Sequence, residues 1–305
     1  MAHLDKPGDH TGVISSGGIR RTFLLHVPKS YDGTKSTPLV LFFHASHRSG
    51  EEAARITNFS KLAQEKNFIV VFPDGVDDIW NDGRIRRLVK WHDIDDIGFV
   101  KDLIKHLTKI LNIDSKRIYA SGRSNGAIFA FRLACELSEY IAAIGPVAGA
   151  MPDNPALKCS PHEPISVVAI HGTEDKIILW DGGDAAGGRT LSLPESIRRW
   201  VRINECPTTP RILYEPDRDT KDGTRVKREE YGPCRHGSEV VLYVIEGGGH
   251  TWPGGKEVFY IGTKSGRVSR DIDATEVIWD FFERHPKNRT APVHSPATKK
   301  QERTR

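Results

Sequence analysis

Arg117-Ile118-Tyr119-Ala120-Ser121-Gly122-Arg123-Ser124-Asn125-Gly126-Ala127 decides the fold. A short β-branched and aromatic run enters Gly-x-Ser-x-Gly, and an apolar helical pattern follows at once through Leu137. Strand, serine turn and helix in direct succession make a nucleophile elbow. The tight turn pushes the hydroxyl clear of the backbone, and the two glycines let neighbouring backbone pass close by. The N–H of Asn125, at the helix N-terminus, is then available to a developing oxyanion.

A serine alcohol is a poor nucleophile at neutral pH, so it needs an imidazole to take its proton and a carboxylate to hold that imidazole. Two later stretches supply them. Pro164-Ile165-Ser166-Val167-Val168-Ala169-Ile170 is a buried-strand run leading into His171-Gly172-Thr173-Glu174-Asp175, with Asp175 just past the strand and Glu174 its nearest rival as the acid. Val240 to Ile245 repeats the design and ends in Glu246-Gly247-Gly248-Gly249-His250. A turn role for Asp175 and a plain surface role for His250 are the alternatives. Three strand-end loops carrying Ser124, Asp175 and His250 in the chain order of α/β-hydrolases outweigh them.

The rest of the chain alternates strand and helix, as a mostly parallel central sheet with helices on both faces requires. Strands are expected at Thr22 to Val27, Leu39 to Phe43, Phe68 to Phe72 and Ala142 to Val147, with a helix near Glu51 to Lys66. Ile97, Val100, Ile104, Leu107 and Leu111 recur at helical spacing, and Ala274 to Phe282 reads as a closing helix. Asp181 to Gly188 is a glycine-rich loop, either a lid or pocket rim or a plain surface loop, before a helix near Pro194 to Asn204. Glu205 to Tyr231 is polar with two strand-like pieces, an expected antiparallel excursion at one end of the sheet.

With 305 residues and 38% apolar content the chain can build one large α/β core, expected to span residues 1–285. Residues 286–305 hold six Lys or Arg against one Glu, so the net charge of +4 belongs to this tail and the body carries about −1. The tail has almost nothing to bury and is expected to be disordered. A basic tail without a basic face argues against nucleic acid as a partner, and no stretch approaches a membrane span. There is no Cys-x-x-Cys pair and no histidine cluster at zinc spacing, so neither metal nor cofactor is expected. Met1 to Pro7 has no apolar h-region.

The chain resembles carbohydrate-esterase family 1 and the polyhydroxybutyrate-depolymerase group, which includes secreted feruloyl esterases and LpqC-type esterases. The matching stretches are Phe72-Pro73-Asp74-Gly75, Trp80-Asn81-Asp82-Gly83-Arg84, Asp95-Asp96-Ile97-Gly98-Phe99, Gly122 to Ala127, Arg132-Leu133-Ala134-Cys135-Glu136, His171 to Asp175 and Gly248-Gly249-His250-Thr251-Trp252-Pro253-Gly254-Gly255. They run in order over nearly the whole chain. The resemblance implies an α/β-hydrolase fold, the triad Ser124, Asp175 and His250, and an acyl-enzyme mechanism on an ester substrate. No obligate protein partner is evident in the sequence.

One departure stands out. The group usually has His-Gly after the second strand, where this chain has His44-Ala45-Ser46-His47. The second oxyanion donor is expected to be the N–H of Ala45, with Ser46 as the alternative. Arg123 puts a guanidinium beside the nucleophile, or covers the elbow structurally. Trp80, Trp180 and Trp252 are candidates for stacking on a flat acyl group or a sugar, and Trp252 is preferred. Cys135, Cys159, Cys206 and Cys234 allow three pairings. Sequential pairing is the simplest, and the resemblance implies disulfides in these regions and hence secretion, with an intracellular protein carrying free thiols as the alternative. Feruloyl esterase-like action on plant polysaccharide hydroxycinnamate esters is the first functional expectation. A polyester depolymerase with the same triad is the second, and a non-catalytic binding module the third.

Overall fold

Every side chain of Leu39-Val40-Leu41-Phe42-Phe43 is apolar, so a strand built from it must be covered on both faces. The computed structural model, which describes residues 4–85, 93–185, 188–255, 259–260 and 263–287, meets that demand. The elements are β1 (Gly8–Ser16), β2 (Ile19–Val27), β3 (Thr37–Phe43), α1 (Gly50–Thr57), α2 (Phe59–Lys66), β4 (Ile69–Pro73), α3 (Asp96–Ile110), β5 (Ile113–Arg123) and α4 (Asn125–Glu136). β6 (Ala143–Val147), β7 (Ser166–Gly172), β8 (Gly183–Ala185), β9 (Gly188–Thr190), α5 (Leu193–Ile203), β10 (Arg211–Tyr214), β11 (Arg225–Tyr231), β12 (Val240–Glu246), β13 (Phe259–Tyr260), β14 (Thr263–Lys264) and α6 (Ala274–Arg284) follow.

Ten strands form one sheet in the order β1-β2-β4-β3-β5-β6-β7-β12-β11-β10. The run from β4 to β12 is parallel, and antiparallel hairpins extend it at both ends. Leu39, Leu41 and Phe43 face a core closed by α3, α4 and α5. Val40 and Phe42 face the other core, closed by α1, α2 and α6. Period-two alternation thus feeds two cores from one strand. The excursion expected after Glu205 is β10 and β11, pairing antiparallel at the edge.

Three expectations need correction. The helix expected from Glu51 to Lys66 is two helices, because Asn58 adopts the left-handed conformation (φ 57°, ψ 14°) and breaks the ladder between α1 and α2. The glycine-rich stretch after Asp181 forms the β8–β9 hairpin rather than an irregular loop, with its tip at 186–187 outside the described residues. Order also runs past His285. The Lys287 N–H donates to Lys116 O at 2.8 Å, and its ammonium is buried against Ser138 O and Glu163. Residues 288–305 of the expected tail lie outside the described ones.

Candidate active site

The elbow is built by close approach. A Cβ added at Gly126 would lie 2.1 Å from Phe43 O and 2.7 Å from His44 O, and one at Gly122 would meet Gly126 and Phe43 O within 2.8 Å. Only glycine lets β5 turn into α4 while pressed against the end of β3. Ser124, at the turn, has φ 58° and ψ −119°, a conformation that costs a non-glycine residue of order 1–3 kcal/mol. Its N–H is held by Val147 O at 3.0 Å, across the neighbouring end of β6.

Asp175 lies just beyond β7 and His250 just beyond β12, two strands that pair in parallel. The His250 Nδ1–H donates to Asp175 Oδ2 at 2.8 Å, and both side chains are fully buried. The other carboxylate oxygen accepts the N–H groups of Ile177 and Ile178 at 2.8 and 2.9 Å. Burial pushes the Asp175 carboxyl up, but the imidazole of His250 and its hydrogen bond outweigh it, with His171 and the Ile177 N–H adding to them. Its pKa ends below the ordinary value. Burial pushes the His250 imidazole down, more than Asp175 pulls it up, and Arg123 and His171 push the same way as burial. His250 is therefore a neutral base at neutral pH, with the tautomer that leaves Nε2 as the acceptor.

Glu174, the rival acid, is exposed and pairs with Arg267 at 3.1 Å instead. Arg123 bridges the site, its Nη2 donating to His250 O at 2.6 Å from a residue only 3% exposed. The elbow and the histidine loop are thereby tied together by side chain as well as by the sheet.

The loop after β3 is fixed peptide by peptide. Gly75 N–H donates to His44 Nε2 at 3.0 Å, so Nδ1 carries the proton and donates to Ala45 O at 2.8 Å. Burial keeps that imidazole neutral. His44 O accepts the Trp80 indole N–H at 3.1 Å. Since a trans peptide points N–H opposite to C=O, this bond aims the Ala45 N–H away from Trp80 and the core. Asn125, the first residue of α4, has no intrahelical acceptor for its N–H. Its side chain exchanges hydrogen bonds with the Trp80 backbone (2.8 and 3.1 Å) and donates to Asp82 Oδ2 at 2.6 Å. Asp82 in turn holds the Arg84 guanidinium at 2.7 Å, and both are buried.

Two of the expected stacking tryptophans are corrected. Trp80 is 0% exposed, parallel to Phe129 at 5.2 Å and edge-on to Phe43, so it supports the site from within the core. Trp252 is 2% exposed, packs edge-on to Phe42 at 5.5 Å and gives its indole N–H to Thr275 Oγ1. Neither face is open to a ligand. Trp180 is half-buried on the acid loop, 6.1 Å edge-on from His171. The supporting roles of His44, His171, Trp80 and the Asn125 side chain escaped the sequence reading. The only signal was their recurrence beside the motif loops. The cysteines pair sequentially, Cys135 with Cys159 and Cys206 with Cys234.

No protein-family model matches the chain. It is 28% identical over 277 residues to the putative esterase NocK of Nocardia uniformis subsp. tsuyamanensis, covering 87% of this chain and 80% of that one. It is also 28% identical over 247 residues to feruloyl esterase B of Piromyces equi, covering 77% of this chain and only 44% of that longer protein. Among solved structures, an acetyl xylan esterase from Aspergillus awamori superposes with a TM-score of 0.61 at 13% identity, over 90% of this chain and 99% of that one. A CE1 ferulic acid esterase from Anaeromyces mucronatus, in complex with ferulic acid, gives 0.50 at 14% over 81% and 85%. The fold is the α/β-hydrolase fold, and in sequence the chain is similar to esterases that include feruloyl esterases.

Proposed function

We propose that the protein is a carboxylic-ester hydrolase of the serine type, acting on hydroxycinnamate esters of plant polysaccharides. One observation carries the mechanism: a fully buried His250–Asp175 pair bonded at 2.8 Å and tied through Arg123 to the elbow that presents Ser124. In this reading His250 Nε2 takes the Ser124 proton as Oγ attacks the ester carbonyl, and the N–H groups of Asn125 and Ala45 bind the oxyanion. The tetrahedral adduct collapses, the C–O bond to the alcohol breaks, and His250 returns the proton to the leaving oxygen. Water then repeats the sequence on the acyl-enzyme and releases the acid. Trp180 is the tryptophan left to stack on a flat acyl group.

The feruloyl esterases among its relatives support the hydroxycinnamate part of the reading. The two disulfides support an oxidising compartment, and hence secretion. Residues 1–285 act as the catalytic unit in this proposal.

The test is a substrate panel with triad variants. Methyl ferulate and p-nitrophenyl acetate are expected to be hydrolysed, and Ser124→Ala and His250→Ala each to lower kcat by about three orders of magnitude or more with the fold intact. Retention of more than roughly a tenth of the wild-type rate by Ser124→Ala would remove the triad assignment. Clearing of a polyhydroxybutyrate emulsion without ferulate release would transfer the reading to polyester hydrolysis.

A further inference from the structure

α6 lies over β5, β6 and β7, and the sheet runs on past it to β12 and β11. Between α6 and the outer strands lies a groove of about 360 Å³, at the lower end of the range of small-ligand sites. Val168, Val241, Ile272 and Phe281, all buried, give it apolar lining. The rest is acidic: seven carboxylates border it against three guanidiniums. None of Ser124, Asp175 and His250 lines it.

Only part of that charge is answered from within. Arg228 meets Glu215 at 3.3 Å and Glu230 at 3.1 Å, and Arg284 meets Glu239 at 3.8 Å. One guanidinium, that of the exposed Arg218, is left against four carboxylates. Of these, Asp273 already caps the N-terminus of α6. Glu276 and Asp280 are exposed four residues apart on the same helix, where like charges repel, and neither makes an ion pair among the described residues. Asp271 is 1% exposed. Its Oδ1 accepts the N–H groups of Arg218 and Asp219 at 2.8 and 3.3 Å, whereas Oδ2 is buried with no hydrogen-bond partner. A buried carboxylate oxygen at the edge of a groove calls for a donor.

The spread of the charges selects the kind of cation. A bare calcium ion takes about six to eight oxygens around one point, and among the described residues no three acidic side chains converge in that way. Here the carboxylates are strung along apolar surface. Amines set apart by methylenes match that pattern, the ammonium groups donating to carboxylates while the methylenes cover the apolar side chains. We propose that this groove binds an aliphatic polyamine, with Asp271, Glu276 and Asp280 taking its ammonium groups. The site is independent of the esterase reading.

Calorimetric titration of the full-length protein with spermidine at low ionic strength tests it. Saturable binding of one spermidine per chain is expected, with methylamine at least about tenfold weaker because it reaches one carboxylate at a time. Asp271→Asn keeps the acceptor for the Arg218 and Asp219 N–H groups but removes the charge, and should raise Kd about tenfold. The double variant Glu276→Gln/Asp280→Asn changes only exposed side chains, so it should keep the wild-type melting temperature and raise Kd about fivefold. It carries the test by itself if Asp271→Asn does not fold. No saturable binding, or a Kd unchanged in the double variant, overturns the site. Calcium chloride binding more tightly than spermidine, and competing with it, would overturn the polyamine assignment in favour of a metal ion.

Discussion

Arg123 shows how one side chain joins two loops. It precedes Ser124 in the chain, and its guanidinium bonds to the carbonyl of His250, so it holds the histidine loop and adds positive charge next to the imidazole. Among the described residues, the charged and titratable groups acting on His250 include Asp175, Arg123 and His171. The carboxylate favours imidazolium, while the other two and burial disfavour it. With the imidazole held below its ordinary value of about 6.5, kcat/KM on p-nitrophenyl acetate should rise with pH through an acid limb centred below that value. Removing the guanidinium removes a positive charge that disfavours imidazolium, so Arg123→Met should move the limb to higher pH. It should also lower kcat by about tenfold, because the loop loses its tie. A limb that stays in place, with only the melting temperature reduced, would show Arg123 to be a cover for the elbow and no more.

Among elements, the junction of β3 with α4 sets the geometry of the proposed site. Gly126 is where the helix start meets the Phe43 and His44 carbonyls, and those contacts are backbone on both sides, so no side-chain rotation relieves a clash. Gly126→Ala must push α4 away from the loop carrying Ala45 and spread apart the N–H groups of Asn125 and Ala45, the two proposed oxyanion donors. Losing one such donor typically costs 10²–10³-fold in rate, so kcat should fall by about a hundredfold while circular dichroism remains that of wild type. The second strand-end device is more tolerant. Asp175 keeps its two backbone donors whatever occupies position 250, and the acid loop should hold its shape in His250→Ala.

For the molecule as a whole, the disulfides fasten the segments that connect the core elements. Cys206–Cys234 brackets the β10–β11 excursion, and Cys135–Cys159 joins the end of α4 to the loop before β7. Sequence separations of 24 and 28 residues correspond to roughly 3 kcal/mol of chain-entropy stabilisation each. Reduction under native conditions should lower the melting temperature by about 5–10 °C per bridge, measurable by differential scanning fluorimetry with and without reductant. An unchanged melting temperature would mean that the excursion is held by its β-ladder alone.

Local pattern sufficed wherever a residue type has a single use. Gly122, Ser124 and Gly126 between a β-branched run and an apolar helix placed a serine turn at a strand end, and the polar loops that follow two later apolar strands pointed to Asp175 and His250, which the structure joins by a hydrogen bond. The same holds for the two-faced strands, whose unbroken apolar runs admit no reading but burial on both sides. Tertiary structure alone decided what a side chain touches. Trp80 and Trp252 carry the same apolar signal in a core as at a pocket rim, and only the packing of Phe42, Phe43 and Phe129 around them showed which it is. β1 was missed because its exposed and half-buried positions give a weak alternation, and pairing with β2 is what makes it a strand. The break at Asn58 and the bond from Arg123 to the His250 carbonyl also lay beyond sequence. A left-handed residue within a helical pattern and a contact across 127 positions are both set by what the rest of the chain brings near.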